Sequence, residues 1–158
     1  MPNTPLRIFL GLGSNIGKRQ EYINKAISEL ENNPLMTLIQ TSSFIETKAI
    51  SKTCQPDFIN AVCEMTTLLS PEELLIETQE IEKKLGRTQK GTQEPRTIDI
   101  DILFFGEIIL TQENLTIPHA LLHTRAFVLK PLAEIAPEFI HPILNQNIET
   151  LLAYIEIK

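Results

Sequence analysis

An α+β sandwich of ferredoxin-like type, βαββαβ, with helices on one face of an antiparallel sheet and additions at the C-terminal end, is the fold class this sequence predicts. Three observations carry it. Strand-like and amphipathic helical patterns alternate along the chain in that order. Phe58 to Thr67 alternates apolar with polar residues, and Ile98 to Phe104 sets acids between isoleucines, which is how strands read when one face packs and the other is open. Ser70-Pro71-Glu72-Glu73 is a full helix start, with a Ser cap, Pro at the first helical position and Glu three residues after the cap. At 158 residues and 42% hydrophobic, the chain reads as one domain over 1–158, long enough to bury a sizeable core.

The elements follow in order. Leu6 to Leu12 reads as a strand, and Gly13-Ser14-Asn15 as a tight turn into a helix with Ser14 or Asn15 as its cap. That helix places Ile23, Ala26, Ile27 and Leu30 on one stripe and stops before Pro34. Met36 to Glu46 reads as a second strand, and Thr47 to Asp57 as a loop. In the strand from Phe58, Ile59, Ala61, Cys63 and Met65 take one face, and Phe58, Asn60, Val62 and Glu64 the other. The helix after Ser70 runs to about Leu85 and closes at Gly86. Leu74, Thr78, Ile81 and Leu85 form its inner stripe, which leaves Gln79 and Glu82 on a solvated flank. A polar loop from Arg87 to Thr97, expected to be mobile until ligand arrives, leads to the acid-bearing strand. Glu107 to Leu110 is expected to add a hairpin strand, and Arg125 to Ile135 a helix that Pro131 kinks or restarts; the remainder reads as a tail.

Pro95-Arg96-Thr97-Ile98-Asp99-Ile100-Asp101-Ile102-Leu103-Phe104 holds the chemistry. Ile98, Ile100, Ile102 and Phe104 are expected on one face, Asp99 and Asp101 on the other, the two acids about 7 Å apart and mutually repelling. A wet sheet face would tolerate them as solvated acids. A divalent ion would use them: Mg²⁺ takes one or two carboxylates and completes its shell with water and substrate phosphates. Arg96 adds a guanidinium that can fork onto phosphate oxygens. If helices cover only the opposite face, Phe58 and Asn60 share a cleft with the acids, a ring to stack on a flat heterocycle and an amide to read its edge.

Other classes are excluded by what is missing. A net charge of −6 and a pI near 5.1 argue against a nucleic-acid binder. No apolar run approaches the roughly 20 residues of a membrane span, and Met1 to Pro5 lacks the regions of a signal peptide, so a cytoplasmic location is expected. Cys54 and Cys63 match no zinc spacing and are too few for a disulfide framework; Cys63 reads as a small core residue. Gly11-Leu12-Gly13-Ser14-Asn15-Ile16 lacks the third glycine of the dinucleotide fingerprint, and Gly13 to Arg19 is not a P-loop. His119 and His123 stand four apart without the glutamate of a helical zinc-protease motif, and His141 has no evident role.

Gly11 to Asn15, Pro56 to Ala61, Ser70 to Leu75, Gly86-Arg87 and Pro95 to Ile102, in that order, make this sequence resemble the 6-hydroxymethyl-7,8-dihydropterin pyrophosphokinases of folate biosynthesis over nearly the whole chain. The resemblance implies transfer of pyrophosphate from ATP to a pterin alcohol with release of AMP. It gives Asp99 and Asp101 two Mg²⁺ ions, and Phe58 and Phe127 the two faces of the pterin, whose edge is read by Asn60 and the backbone near Thr47. Gln79, Glu82, Ile102 and Thr116 resemble nucleotide-site positions, and Arg87, Arg96, His119 and Arg125 the triphosphate-facing set. A partnership with, or fusion to, the next folate-pathway enzyme is also implied. Lys48, Ala49, Gln89, Gln93, Glu94 and Ala120 depart from the family pattern in the loops around ATP. A regulatory ion-binding module would explain the acids but not Arg96, Phe58 and Asn60 together, and a metal-dependent phosphohydrolase would carry more metal ligands.

Overall fold

A computed structural model describes residues 4–47, 57–86 and 97–157. Along the chain run β1 (Leu6–Ser14), α1 (Arg19–Glu31), β2 (Met36–Thr41), β3 (Ile45–Thr47), β4 (Phe58–Thr67), α2 (Pro71–Lys84), β5 (Asp99–Phe105), β6 (Leu110–Gln112), β7 (Leu115–Ile117), a 3₁₀ turn (Leu122–Thr124), α3 (Ala126–Ile135) and α4 (Ile148–Ile157). The main sheet has the order β2-β4-β1-β5, with β3 also on β4 and every pairing antiparallel. This is a mixed fold of antiparallel sheet and helices, as the alternating patterns predict.

Two apolar layers hold the sheet. On one face Ile8, Leu10, Leu12, Ala61, Cys63, Met65 and Ile100 pack against Ile23, Ala26 and Leu30 of α1 and Leu74 and Ile81 of α2. Phe9, Val62, Leu103 and Phe104 point the other way, into a second core with Leu129 and Leu132 of α3 and Ile148 and Leu151 of α4. The face expected to be open is therefore covered over part of its area. The expected tail contains a helix, α4, which the sequence reading missed although Ile148, Leu151, Leu152 and Ile155 follow helical spacing; Asn147 Oδ1 accepts the Thr150 N–H at 2.8 Å.

Local departures have local causes. Phe9 pairs with Phe104 but Leu10 with Ile102, so Leu103 is an extra residue in β5. A bulge reverses the alternation beyond it, which sends Phe104 to the second core and Phe105 to the first, against the expectation that Phe104 joins Ile98, Ile100 and Ile102. The expected single strand Met36 to Glu46 is broken at Ser42, whose N–H donates to the Val62 carbonyl (2.8 Å) and whose Oγ accepts the Val62 N–H (2.9 Å). A hydroxyl thus replaces one rung of the ladder while the chain turns. Gly11 and Gly13 lie inside β1; the turn falls at Gly17 (φ 67°), and α1 starts without a side-chain cap, so neither Ser14 nor Asn15 has the expected role. The added hairpin begins later than expected, as β6 and β7, which pair only with each other among the described residues. Ser70 and Glu73 do form the capping box of α2, and Pro131 lies within α3.

Candidate active site

Register assembles the site. Asp99 lies opposite Gly13, and Gly13 opposite Asn60; one step along, Asp101 lies opposite Gly11, and Gly11 opposite Val62. Asp99, Asp101, Phe58 and Asn60 thus share the sheet face away from α1 and α2, at the end that the second core does not fill. Strands stand about 4.8 Å apart, so the acids and the amide flank β1 at a separation of about 10 Å. Between them β1 carries only glycine. A Cβ on Gly13 would stand 2.9 Å from Asn60 Oδ1 and 3.7 Å from the Phe58 ring, and one on Gly11 would touch the Leu103 side chain at 3.4 Å. The glycines leave room for these neighbouring side chains to lie close over β1, a close-approach role that the sequence shows only through their spacing of two.

Asn60 is oriented before any ligand arrives. Its Nδ2 donates to Thr47 Oγ1 at 2.7 Å, which turns Oδ1 toward Gly13. Thr47 pairs with Phe58 across β3 and β4, so ring, amide and threonine form one rigid group. Asp99 and Asp101 are both half-buried on β5. No group of three or more His, Cys, Asp or Glu side chains able to hold a metal occurs among the described residues, so a metal here would depend on the acid pair and on its substrate. Two carboxylates on one face of a rigid strand suit that mode of Mg²⁺ binding.

The remaining predicted positions divide. Gln79 is exposed on α2 and Thr116 exposed on β7. Ile102 is buried in the first core, so its side chain faces away from the acids. Glu82 is not on a solvated flank: it is 3% exposed and accepts the Ile100 N–H at 2.8 Å. His119, half-buried after the cis Ile117-Pro118 bond, donates its N–H to the Leu103 carbonyl at 3.0 Å, and its Nδ1 accepts from Leu121 at 3.2 Å. Arg125 precedes α3 and lies 5.5 Å from the centre of the Phe127 ring, which packs at the margin of the second core. Arg87 and Arg96, the departures at Lys48, Ala49, Gln89, Gln93 and Glu94, and the expected mobile loop up to Arg96 lie outside the described residues.

Cys63 and His141, both buried, have shifted titrations. Complete burial pushes the Cys63 thiol up to about 12, which makes it an inert core side chain, as expected. Burial first, and the charge of His123 second, lower the pKa of His141. The ring has a role that its sequence setting did not show: Nδ1 accepts the N–H groups of Ile143 (3.1 Å) and Leu144 (3.2 Å), and its edge meets Phe104.

Known proteins share this architecture. A *Plasmodium falciparum* HPPK-DHPS crystal structure with pteroate superposes with a TM-score of 0.77 over 98% of this chain and 43% of its own, at 18% identity, and so speaks for the fold alone. Sequence is more specific. The family model for 7,8-dihydro-6-hydroxymethylpterin-pyrophosphokinase (HPPK) matches residues 9–137. A 2-amino-4-hydroxy-6-hydroxymethyldihydropteridine pyrophosphokinase of *Haemophilus influenzae* is 44% identical over 147 residues, covering 91% of this chain and 89% of that protein. The folic acid synthesis protein fol1 of *Pneumocystis carinii* is 43% identical over 141 residues, 89% of this chain but 19% of that protein. The chain belongs to the HPPK family, enzymes that transfer pyrophosphate from ATP to 6-hydroxymethyl-7,8-dihydropterin in folate synthesis. No helix among the described residues is long and apolar enough to cross a membrane.

Proposed function

We propose that this chain carries out the family reaction on the sheet face shared by Asp99, Asp101, Phe58 and Asn60, on a ferredoxin-like scaffold. The order β2-β4-β1-β5 supports that reading of the scaffold. The observation that supports the site is the register, which puts the acids and the Phe58–Asn60 pair on one face with only glycine positions of β1 between them. Phe58 stacks on the pterin from one side and Phe127 from the other, while Asn60, held by Thr47, and the Thr47 backbone read its edge. Asp99 and Asp101 hold two Mg²⁺ ions with the ATP phosphates. Arg87, Arg96, His119 and Arg125 face the triphosphate, and Gln79, Ile102 and Thr116 border the nucleoside, Ile102 through its backbone. The partial coverage of the fungal and *Plasmodium* relatives supports work beside, or fusion to, another enzyme of folate synthesis.

The chemistry follows from position. The pterin hydroxyl oxygen bonds to the β-phosphorus of ATP in line with the bond to the α,β-bridging oxygen, that bond breaks, AMP leaves, and the hydroxyl proton passes to solvent. Bound Mg²⁺ supplies charge neutralisation at the phosphate oxygens. The chain's own part is to hold the two substrates in register across β1 and to place guanidinium groups against developing negative charge, effects that lower a barrier without a dedicated base. Incubation with ATP, Mg²⁺ and the pterin alcohol tests this: AMP and pterin diphosphate should appear in equal amounts, and only when all three are present. ADP as the main product, or AMP formed without the pterin, would refute it.

A further inference from the structure

We infer that Glu82 is a positioning residue, a buried carboxylate that sets the strand presenting Asp99 and Asp101 rather than a nucleotide ligand. This rests on the reading of those two acids as the metal-binding pair. Among the described residues β5 ends the sheet order, so no described strand lies along its outer edge. Glu82 reaches that edge from α2 and accepts the Ile100 N–H at 2.8 Å, at the residue that separates the two acids. A little further on, the Leu103 carbonyl accepts the His119 N–H at 3.0 Å, so single groups from two other segments bond where no described strand does.

The burial of Glu82 fits this role. At 3% exposure Glu82 is closed to solvent, whereas Gln79, one turn earlier, is exposed. A buried carboxylate is tolerated only where its oxygens are hydrogen-bonded, and here one donor is a backbone group whose own burial needs an acceptor. α2 makes a firm base for it: Leu74, Thr78 and Ile81 are buried beside Glu82, and the Ser70–Glu73 capping box fixes where the helix starts. Groups that orient metal-binding side chains change metal affinity without touching the metal.

Glu82→Gln and Glu82→Asp separate bond from charge, since Gln keeps an acceptor at full reach and Asp keeps the charge one methylene short. In the metal-free protein, hydrogen exchange at the Ile100 amide should match wild type in the Gln variant and speed up by about tenfold in the Asp variant, with the Cys63 amide in the sheet centre unchanged in both. Calorimetric binding of Mn²⁺ with ATP should weaken by about tenfold in Glu82→Asp and by less than about threefold in Glu82→Gln. An Asp variant equal to wild type in exchange and in metal binding would overturn the inference. So would a Gln variant that loses metal-free ATP, because that is the behaviour of a nucleotide ligand. Undiminished Mn²⁺ binding by Asp99→Ala would overturn the reading of the acids instead, and the exchange result would still decide where the Glu82 carboxylate is committed.

Discussion

Asp99 and Asp101 show how much one pair of side chains can announce. Two carboxylates on one strand face repel each other and gain nothing from the apolar residues around them, so their presence points to a cation. Asp99→Ala and Asp101→Ala should each lower turnover by at least about a hundredfold while the thermal midpoint stays level or rises, since each removes a ligand and also a repulsion. Turnover within a few-fold of wild type in either variant, measured as AMP formed, would detach the acids from the chemistry. Glu82 marks the limit of reading single residues. Helical spacing placed it on a flank, and nothing in the sequence says that the flank meets the edge of β5.

Among the elements, β1 is the one whose meaning changed most between sequence and structure. Gly13 looks like a turn residue, and it is a strand residue, as Gly11 was expected to be, on the face shared with the acids, while the turn falls at Gly17. Two antiparallel ladders extended β1 to Ser14, and no local pattern contains that information because the partners come from residues 58–67 and 99–105. Gly13→Ala should therefore act on the pterin side of the cleft. The new methyl group would press on Asn60 Oδ1, displacing the amide from its bond to Thr47. Pterin affinity is expected to fall by about 1 to 3 kcal/mol and metal-free ATP affinity to be unchanged, both readable by calorimetry. Equal losses for both ligands would mean that the strand itself had shifted.

Across the whole molecule, α3 and α4 decide how much of the second sheet face stays open. They cover Phe9, Val62 and Phe104, and His141 ties the connection between them to that core through Phe104 and the Ile143 and Leu144 amides. Its lowered pKa makes this tie dependent on pH. Below the ordinary value of 6.5 the unfolded chain binds a proton that the folded chain resists. The stabilisation is therefore complete above 6.5 and lost as pH falls through the lower folded value. The thermal midpoint should drop between pH 7 and pH 5 more steeply in the wild type than in His141→Gln, by scanning calorimetry. Parallel slopes for the two proteins would show that His141 titrates alike in both states.

The sequence by itself determined the alternation of elements, the stripe of α1, the capping box of α2, the faces of β4 and the acid pair with its family resemblance. Each of these is encoded by residues within one or two turns of one another, where spacing and local hydrogen bonding decide the outcome. Tertiary structure alone decided the bulge that turns Phe104 over, the break at Ser42, the extension of β1 through Gly13, the burial of Glu82 and the cover supplied by α3 and α4. Those depend on contacts between segments far apart in the chain, and a long-range partner leaves no periodicity in the residues that receive it.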